Sequence, residues 1–501
     1  MAYLDAVAAE AKKQGKRKPA PEPRGRELVE SYGEVKIWRV PGEPVLFYEV
    51  PAPHYRGEEK RIIHSLMDIA INVMPTVYKG LSQDEREARY LQEIMRIIDA
   101  TPEIKVPVNS KEFFARAVVR EMVGYGVLDP LTKDDQLEEI MVNGPGKPVF
   151  VYHRKHGVMK SSIQFYEDAD IRDLIERIAR NIGRRIDTQV PILDARLADG
   201  TRVNATIPPV SLDGSTVTLR KFRKDPLSAV DLVSFGTMSP RIAAFLWLAV
   251  DGLGVKPANI LVAGGTASGK TSTLNVLSSF IPRQERILSI EDTSELNLPL
   301  EHWLRFEVRP PSLEGTGEIS MDELVKNSLR MRPDRIIVGE IRGAEGYTMF
   351  AAMNTGHSGC LGTVHANSAR ETIVRLESPP ISVPKIMLTA LNFVVMQNKI
   401  HDRKRGLLRR VTELAEIVPN EETGESSLQV LFEWDPATDT FRDTGRKSYY
   451  LGELKRYTGL SDAQIEGEIA ARQTVLEGLA KRGVRGLEEV CSVTQNYLSA
   501  K

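Results

Sequence analysis

An apolar tetrad, Ile260-Leu261-Val262-Ala263, runs straight into a glycine-rich turn and then into helically spaced residues, Thr273, Leu274, Val276, Leu277 and Phe280. The turn consists of Gly264, Gly265, Thr266, Ala267, Ser268, Gly269, Lys270 and Thr271, which match G-x-x-x-x-G-K-[ST], and Ser272 follows it in the helix. Strand, turn and helix in this order confine the surrounding chain to an α/β architecture whose ligand lies at the carboxyl ends of parallel strands. Each part of the turn has a physical task. Glycines let backbone N–H groups curl around phosphates, and the helix N-terminus adds partial positive charge. Lys270 reaches the β/γ oxygens and Thr271 offers its hydroxyl to Mg²⁺. The expected ligands are therefore a nucleotide and Mg²⁺.

A chain of 501 residues exceeds a single core and predicts about three domains. Its formal net charge of -1 supplies no global positive field, so nucleic acid is not an expected partner. Basic runs at Lys12-Lys13, Lys16-Arg17-Lys18 and Arg403-Lys404-Arg405 read as solvated tail or turn. Cys360 and Cys491 stand far apart in no ligand spacing, which predicts a reduced intracellular protein without a tetracysteine zinc site. Residues 1–24 carry charge and prolines without an apolar core, so no signal peptide is expected there. The longest apolar run, Ile242 to Val250, is far short of a bilayer span, and membrane contact is expected only through a partner or a peripheral surface.

Punctuation divides the chain into five stretches. Residues 1–105 form a Pro-rich tail, with an extended segment at Pro19 to Pro23, two short strands, and a small helical unit interrupted by Pro75 and Gly80. Residues 106–223 form a mixed α/β domain, with strands around 149–152, 163–165, 202–206 and 215–219 and a helix over 171–181. Residues 224–240, with Asp225-Pro226 and Phe235-Gly236, read as a flexible linker. The phosphate-loop domain covers 241–420, with late strands at 392–395 and 412–417 expected as antiparallel additions, and 421–501 form a C-terminal extension.

Hydrolysis of a bound triphosphate needs a metal, an oriented water and positive charge. Ile287-Leu-Ser-Ile-Glu291-Asp292 is an apolar strand ending in two acids, and Glu291 is placed to orient or deprotonate the water. The competing reading of Glu291 is a helix cap or a solvated turn. Arg335-Ile-Ile-Val-Gly-Glu340 has the form of a Walker B strand, except that Gly339 stands where an Asp is usual, so Glu340 alone serves the Mg²⁺ side. His357 and His365 bracket a further strand as candidate nucleotide sensors.

These segments, together with Asp199-Gly-Thr-Arg202, Val217-Thr-Leu-Arg220-Lys-Phe-Arg223 and the Arg330-Met-Arg332-Pro approach to Glu340, resemble the type II/type IV secretion and pilus-assembly ATPases, a family of motors that also serves archaeal flagella and pili. The resemblance runs from about 104 to about 417. It implies a RecA-like ATPase domain preceded by a mixed α/β domain, a homohexameric ring, and an integral membrane platform protein as partner. It also implies roles: Glu291 as catalytic base, Glu340 as Walker B acid, His365 beside the γ-phosphate, and Arg220 and Arg223 as basic groups approaching a nucleotide, across a subunit boundary in family rings. The Arg342-Gly343 pair and the missing tetracysteine module make the chain look like the archaeal branch.

The combined expectation is a cytoplasmic Mg²⁺-dependent ATPase, peripheral at the inner face of the membrane, that drives secretion or filament assembly. A RecA-like nucleic-acid translocase is the rival, opposed by the near-neutral charge. A nucleotide-gated scaffold without turnover is the third reading, opposed by the presence of Lys270, Thr271, Glu291 and Glu340 together.

Overall fold

The computed structural model describes residues 25–51, 55, 57–74, 83–197, 199–222, 225–311, 316–402, 405–420 and 426–499. The proline stretch at 19–23, the basic runs at 12–18 and 403–404, Pro75, Gly80 and Arg223 lie outside the described residues. The chain divides into two compact units at Phe222/Arg223.

The first unit is built on a sheet of nine strands among the described residues: β1 (Glu27–Tyr32), β2 (Val35–Arg39), β3 (Leu46–Glu49), β4 (Leu137–Val142), β5 (Pro148–His153), β6 (Gly157–Gln164), β7 (Ile192–Arg196), β8 (Arg202–Thr206) and β9 (Thr216–Arg220). Their order is β1-β2-β3-β6-β5-β4-β9-β8-β7. All neighbours are antiparallel except β3 and β6. Burial alternates along β5, and the covered face meets Ile171, Leu174, Ile175 and Ile178 of helix Asp168–Asn181, the period-2 against period-3.6 match that seals one sheet face.

The expected boundary at 105/106 does not follow this packing. Strands β1 to β3, which sequence reading assigned to the tail, belong to the sheet through pairing of β3 with β6, more than a hundred residues away. Helix Lys111–Met122, assigned to the α/β domain, instead shares a core with helices Gly57–Val73 and Gln83–Ala100, through Phe114, Val118, Ile63, Leu66 and Ile94.

The second unit holds β10 (Ile260–Ala263), β11 (Ile287–Glu291), β12 (Trp303–Glu307), β13 (Arg335–Ile341), β14 (Leu361–Val364), β15 (Phe393–Asp402), β16 (Gly406–Pro419), β17 (Ser426–Asp435) and β18 (Thr440–Asp443), ordered β12-β11-β13-β14-β10-β15-β16-β17-β18. The first six in that order are parallel. Every residue of β10, β11 and β14 is buried, as parallel strands covered on both faces require. Along β10, Ile260 and Val262 join one core with helix Pro240–Asp251, while Leu261 and Ala263 join the other with helix Ala344–Asn354.

Three expectations are corrected here. Strand β15 runs parallel to β10, not antiparallel, because helix Ala369–Glu377 and the turn Lys385–Ala390 carry the chain back across the sheet before it begins. The stretch 224–240 is not a loose linker. Ser228 and Asp231 form a reciprocal capping box on helix Ala229–Ser234, whose Ala229, Val230 and Leu232 are buried in the second unit. Residues 421–501 are no appendage either: β17 and β18 extend the sheet, and Tyr450, Leu454, Ile465, Ile469 and Leu476 complete its core.

Candidate active site

The loop after β10 bends into helix Lys270–Ser278 through two residues with positive φ, Ala267 at 58° and Gly269 at 98°. Such left-handed steps gather successive N–H groups into a concave anion nest at a helix N-terminus. Lys270 is buried, donates from Nζ to the Gly265 carbonyl at 2.9 Å, and lies 3.4 Å from His365 Nε2. Desolvation lowers the Lys270 ammonium from its ordinary range. Burial, reinforced by the Lys270 charge, likewise lowers His365, which keeps its imidazole neutral at pH 7. Thr271 and Ser272 are half-buried in the first turn of the helix.

A line of groups continues across the carboxyl ends of the neighbouring strands. His365, just beyond β14, places Nε2 2.9 Å from Glu340 Oε1 on β13, without the alignment of a hydrogen bond. Arg342 donates to Glu340 Oε2 at 2.6 Å and lies 3.4 Å from Asp292, beyond β11. The Glu340 hydrogen bond holds the Arg342 guanidinium above its usual value. Gly265, Thr266, Glu340, Arg342, His365 and Asn367 line one cleft of about 910 Å³.

Glu291 does not line that cleft. It ends β11 at 3% exposure, and its Oε1 accepts from the backbone N–H groups of Glu295 at 3.0 Å and Leu296 at 3.1 Å. Its other oxygen has no hydrogen-bond partner among the described residues. One oxygen therefore caps the turn that follows, and the other is buried without a partner among the described residues. Burial pushes the carboxyl up to about 7. The missing Walker B Asp has its physical reason in the same place. A Cβ on Gly339 would stand 2.8 Å from Glu291 Cγ, closer than real Cβ atoms approach, so any side chain at 339 would displace Glu291. Thr363 fixes that backbone by donating to the Gly339 carbonyl at 2.6 Å.

The remaining candidates are placed differently. His357 precedes β14 and so stands at the amino end of that strand, opposite to His365; the pairing of the two histidines as sensors does not hold. Arg220 ends β9 in the first unit and is exposed. Sequence reading missed Gln397 on β15 and Arg409 on β16, whose side chains hydrogen-bond the loop. No motif marks them; the parallel pairing of β15 with β10 and the antiparallel pairing of β16 with β15 bring them there.

The chemistry of this set fits a nucleotide with Mg²⁺. Ser268 Oγ, Glu291 Oε2 and Glu340 Oε1 are buried polar atoms without hydrogen-bond partners among the described residues. Buried orphans of this kind ask for a ligand, water or ion. Thr271 and Glu340 would hold the metal. The described residues gather no group of three or more His, Cys, Asp and Glu side chains that could hold one.

The sequence profile of a family described as "Type II/IV secretion system protein" matches residues 121–421, more than half of the chain. The chain belongs to that family. It is 32% identical to uncharacterized protein MJ0781 of Methanocaldococcus jannaschii over 74% of this chain and 75% of the relative. It is 37% identical to putative conjugal transfer protein Rv3659c of Mycobacterium tuberculosis, over 52% of this chain and 75% of that one. Among solved structures it is similar to the VirB11 ATPase of the Brucella suis type IV secretion system in complex with sulphate, at 26% identity and a TM-score of 0.29, covering 57% of this chain and 92% of that one. No helix of the described residues is long and apolar enough to cross a membrane.

Proposed function

We propose that this family member is a Mg²⁺-dependent ATP hydrolase working as a cytoplasmic homohexameric ring, which powers secretion or filament assembly through an integral membrane platform protein. One observation carries the proposal. The phosphate loop, the Lys270–His365–Glu340 line and a buried carboxylate poised near neutrality occupy the carboxyl ends of one parallel sheet. Bound Mg²⁺ would neutralise charge on the β and γ oxygens. Lys270 exchanges its contact with the Gly265 carbonyl for the phosphates, and neutral His365 donates toward the γ-phosphate or holds Glu340. Glu291, when ionised, takes a proton from the attacking water through the oxygen that the fold leaves unpaired. Arg220 and Arg223 are assigned to the nucleotide of a neighbouring chain.

Substitution separates these roles. Lys270→Ala removes a fixed cation and should reduce turnover by on the order of 10³-fold. Glu291→Gln keeps the hydrogen-bonded oxygen but loses the base, so ATP binding should persist while hydrolysis falls by about 10² or more. Phosphate release and equilibrium ATP binding measured on both variants decide the matter. Wild-type turnover by Lys270→Ala would remove the loop from the reaction.

A further inference from the structure

The first and last glycines of the loop answer to β15 as much as to any phosphate. A Cβ on Gly264 would stand 2.2 Å from the carbonyl oxygen of Gln397, and one on Gly269 would stand 2.8 Å from Gln397 Nε2. Gly265, by contrast, has open space where its Cβ would be. Gln397 is 1% exposed, and the pairing of β15 with β16 shifts register between Met396 and Gln397. The extra residue of that bulge is Thr412 on β16, which leaves Gln397 in the regular course of β15. The Gln397 amide is used at both ends: Nε2 donates to the Ser268 carbonyl at 2.9 Å, and Oε1 accepts from Thr273 Oγ1 at 2.6 Å. From β16, Arg409 Nε donates to the Ala267 carbonyl at 3.0 Å.

Two consecutive carbonyls of the loop, those of Ala267 and Ser268, are thus held by β15 and β16. In a planar trans peptide the carbonyl and the following N–H point in opposite directions. Turning the carbonyl of 268 toward the sheet turns the N–H group of Gly269 away from it, into the nest, while the Ser268 N–H donates to the Gly265 carbonyl at 3.4 Å and closes the loop. Without these bonds Ala267, a non-glycine residue at φ 58°, has a relaxed right-handed alternative.

We propose that Gln397 and Arg409 are positioning residues that hold the phosphate loop in its anion-receiving shape before nucleotide arrives, with Gln397 as the main brace and Thr273 fixing its amide. The inference rests on reading the loop as a nucleotide site. The brace raises affinity by sparing the nucleotide the cost of ordering the loop. Its loss acts on ground state and transition state alike, so KM rises while kcat changes little.

The test compares wild type, Gln397→Met, Arg409→Met and Thr273→Val in the full-length chain. Three readouts are taken: binding of N-methylanthraniloyl-ATP with Mg²⁺, hydrogen exchange of the amides of residues 265–269 without nucleotide, and the melting temperature of the same nucleotide-free protein. Gln397→Met should weaken binding by about tenfold or more, since it leaves a buried carbonyl and hydroxyl without partners. Its loop amides should exchange faster while the melting temperature stays within a few degrees. Arg409→Met, removing a more exposed bond, should weaken binding by about threefold. Affinity within twofold of wild type together with unchanged exchange in Gln397→Met overturns the proposal. If Gln397→Met does not fold, Thr273→Val is judged by the same two criteria. Failure of wild type to bind the nucleotide defeats the nucleotide reading and the positioning role with it. Unaltered variants of a binding-competent protein defeat the brace alone.

Discussion

Glu291 ends β11 among buried neighbours, with one oxygen paired to two backbone N–H groups and the other to none, and its carboxyl is pushed up to about 7 against an ordinary 4.5. The sign of the consequence is fixed. Between pH 4.5 and 7 the folded protein keeps a proton that the unfolded chain has released, so the contribution of Glu291 to stability falls as pH rises through that window and is level above it. Glu291→Gln has no such dependence. Relative to that variant, wild type should lose about 3 kcal/mol of unfolding free energy between pH 4 and pH 8, measured by urea denaturation at both ends. Parallel curves would mean that the carboxyl is solvated in solution. The same ionisation should give kcat/KM a rising limb centred near 7, and a flat profile from pH 5.5 to 8.5 would take the base role away from this residue.

At the scale of elements, helix Asp462–Lys481 is tied to helix Pro240–Asp251 by a buried ion pair. Arg472 donates to Asp251 Oδ2 at 2.7 and 3.1 Å, and their side chains are 1% and 2% exposed. The same guanidinium lies over Trp247 and bonds Glu468. Removing Arg472 leaves the Asp251 charge buried without its cation, so Arg472→Met should cost about 3–5 kcal/mol in urea unfolding. A loss under 1 kcal/mol would mean that the helix is held by apolar contacts alone. Because helix Pro240–Asp251 backs the strand that carries the phosphate loop, this anchor lies in the same core as the site. Trimming the residues beyond 420 would remove part of that core.

For the whole molecule, the ring proposal places Arg220 and Arg223 of one chain on the nucleotide of the next, and arginines in that role are worth roughly 10³ to 10⁵ in rate. A monomer would then be incomplete. Specific activity should rise with protein concentration through the assembly range, and Lys270→Ala mixed with Arg220→Ala should recover turnover that neither has alone. Recovery follows because some interfaces in the mixture pair an intact loop with an intact arginine. Flat specific activity and a dead mixture would confine both arginines to their own chain.

What the sequence determined by itself was whatever is written in contiguous residues: the strand–loop–helix of 260–280, the acid-terminated strands ending at Glu291 and Glu340, and the period-3.6 face of helix Asp168–Asn181. Local spacing encodes these because backbone geometry repeats over a few residues. The capping box at Ser228 and Asp231 was equally local, and the neighbouring Asp225-Pro226 and Phe235-Gly236 masked it. Only the tertiary structure decided the rest. It brought β3 to β6, turned β15 parallel to β10, gave Gly339 its reason in Glu291, and set Gln397 against the loop. Those outcomes depend on which strands lie side by side, a choice made by burying two faces of a sheet at once. Residues from tens to more than a hundred positions apart enter it together, and no short window of sequence contains them.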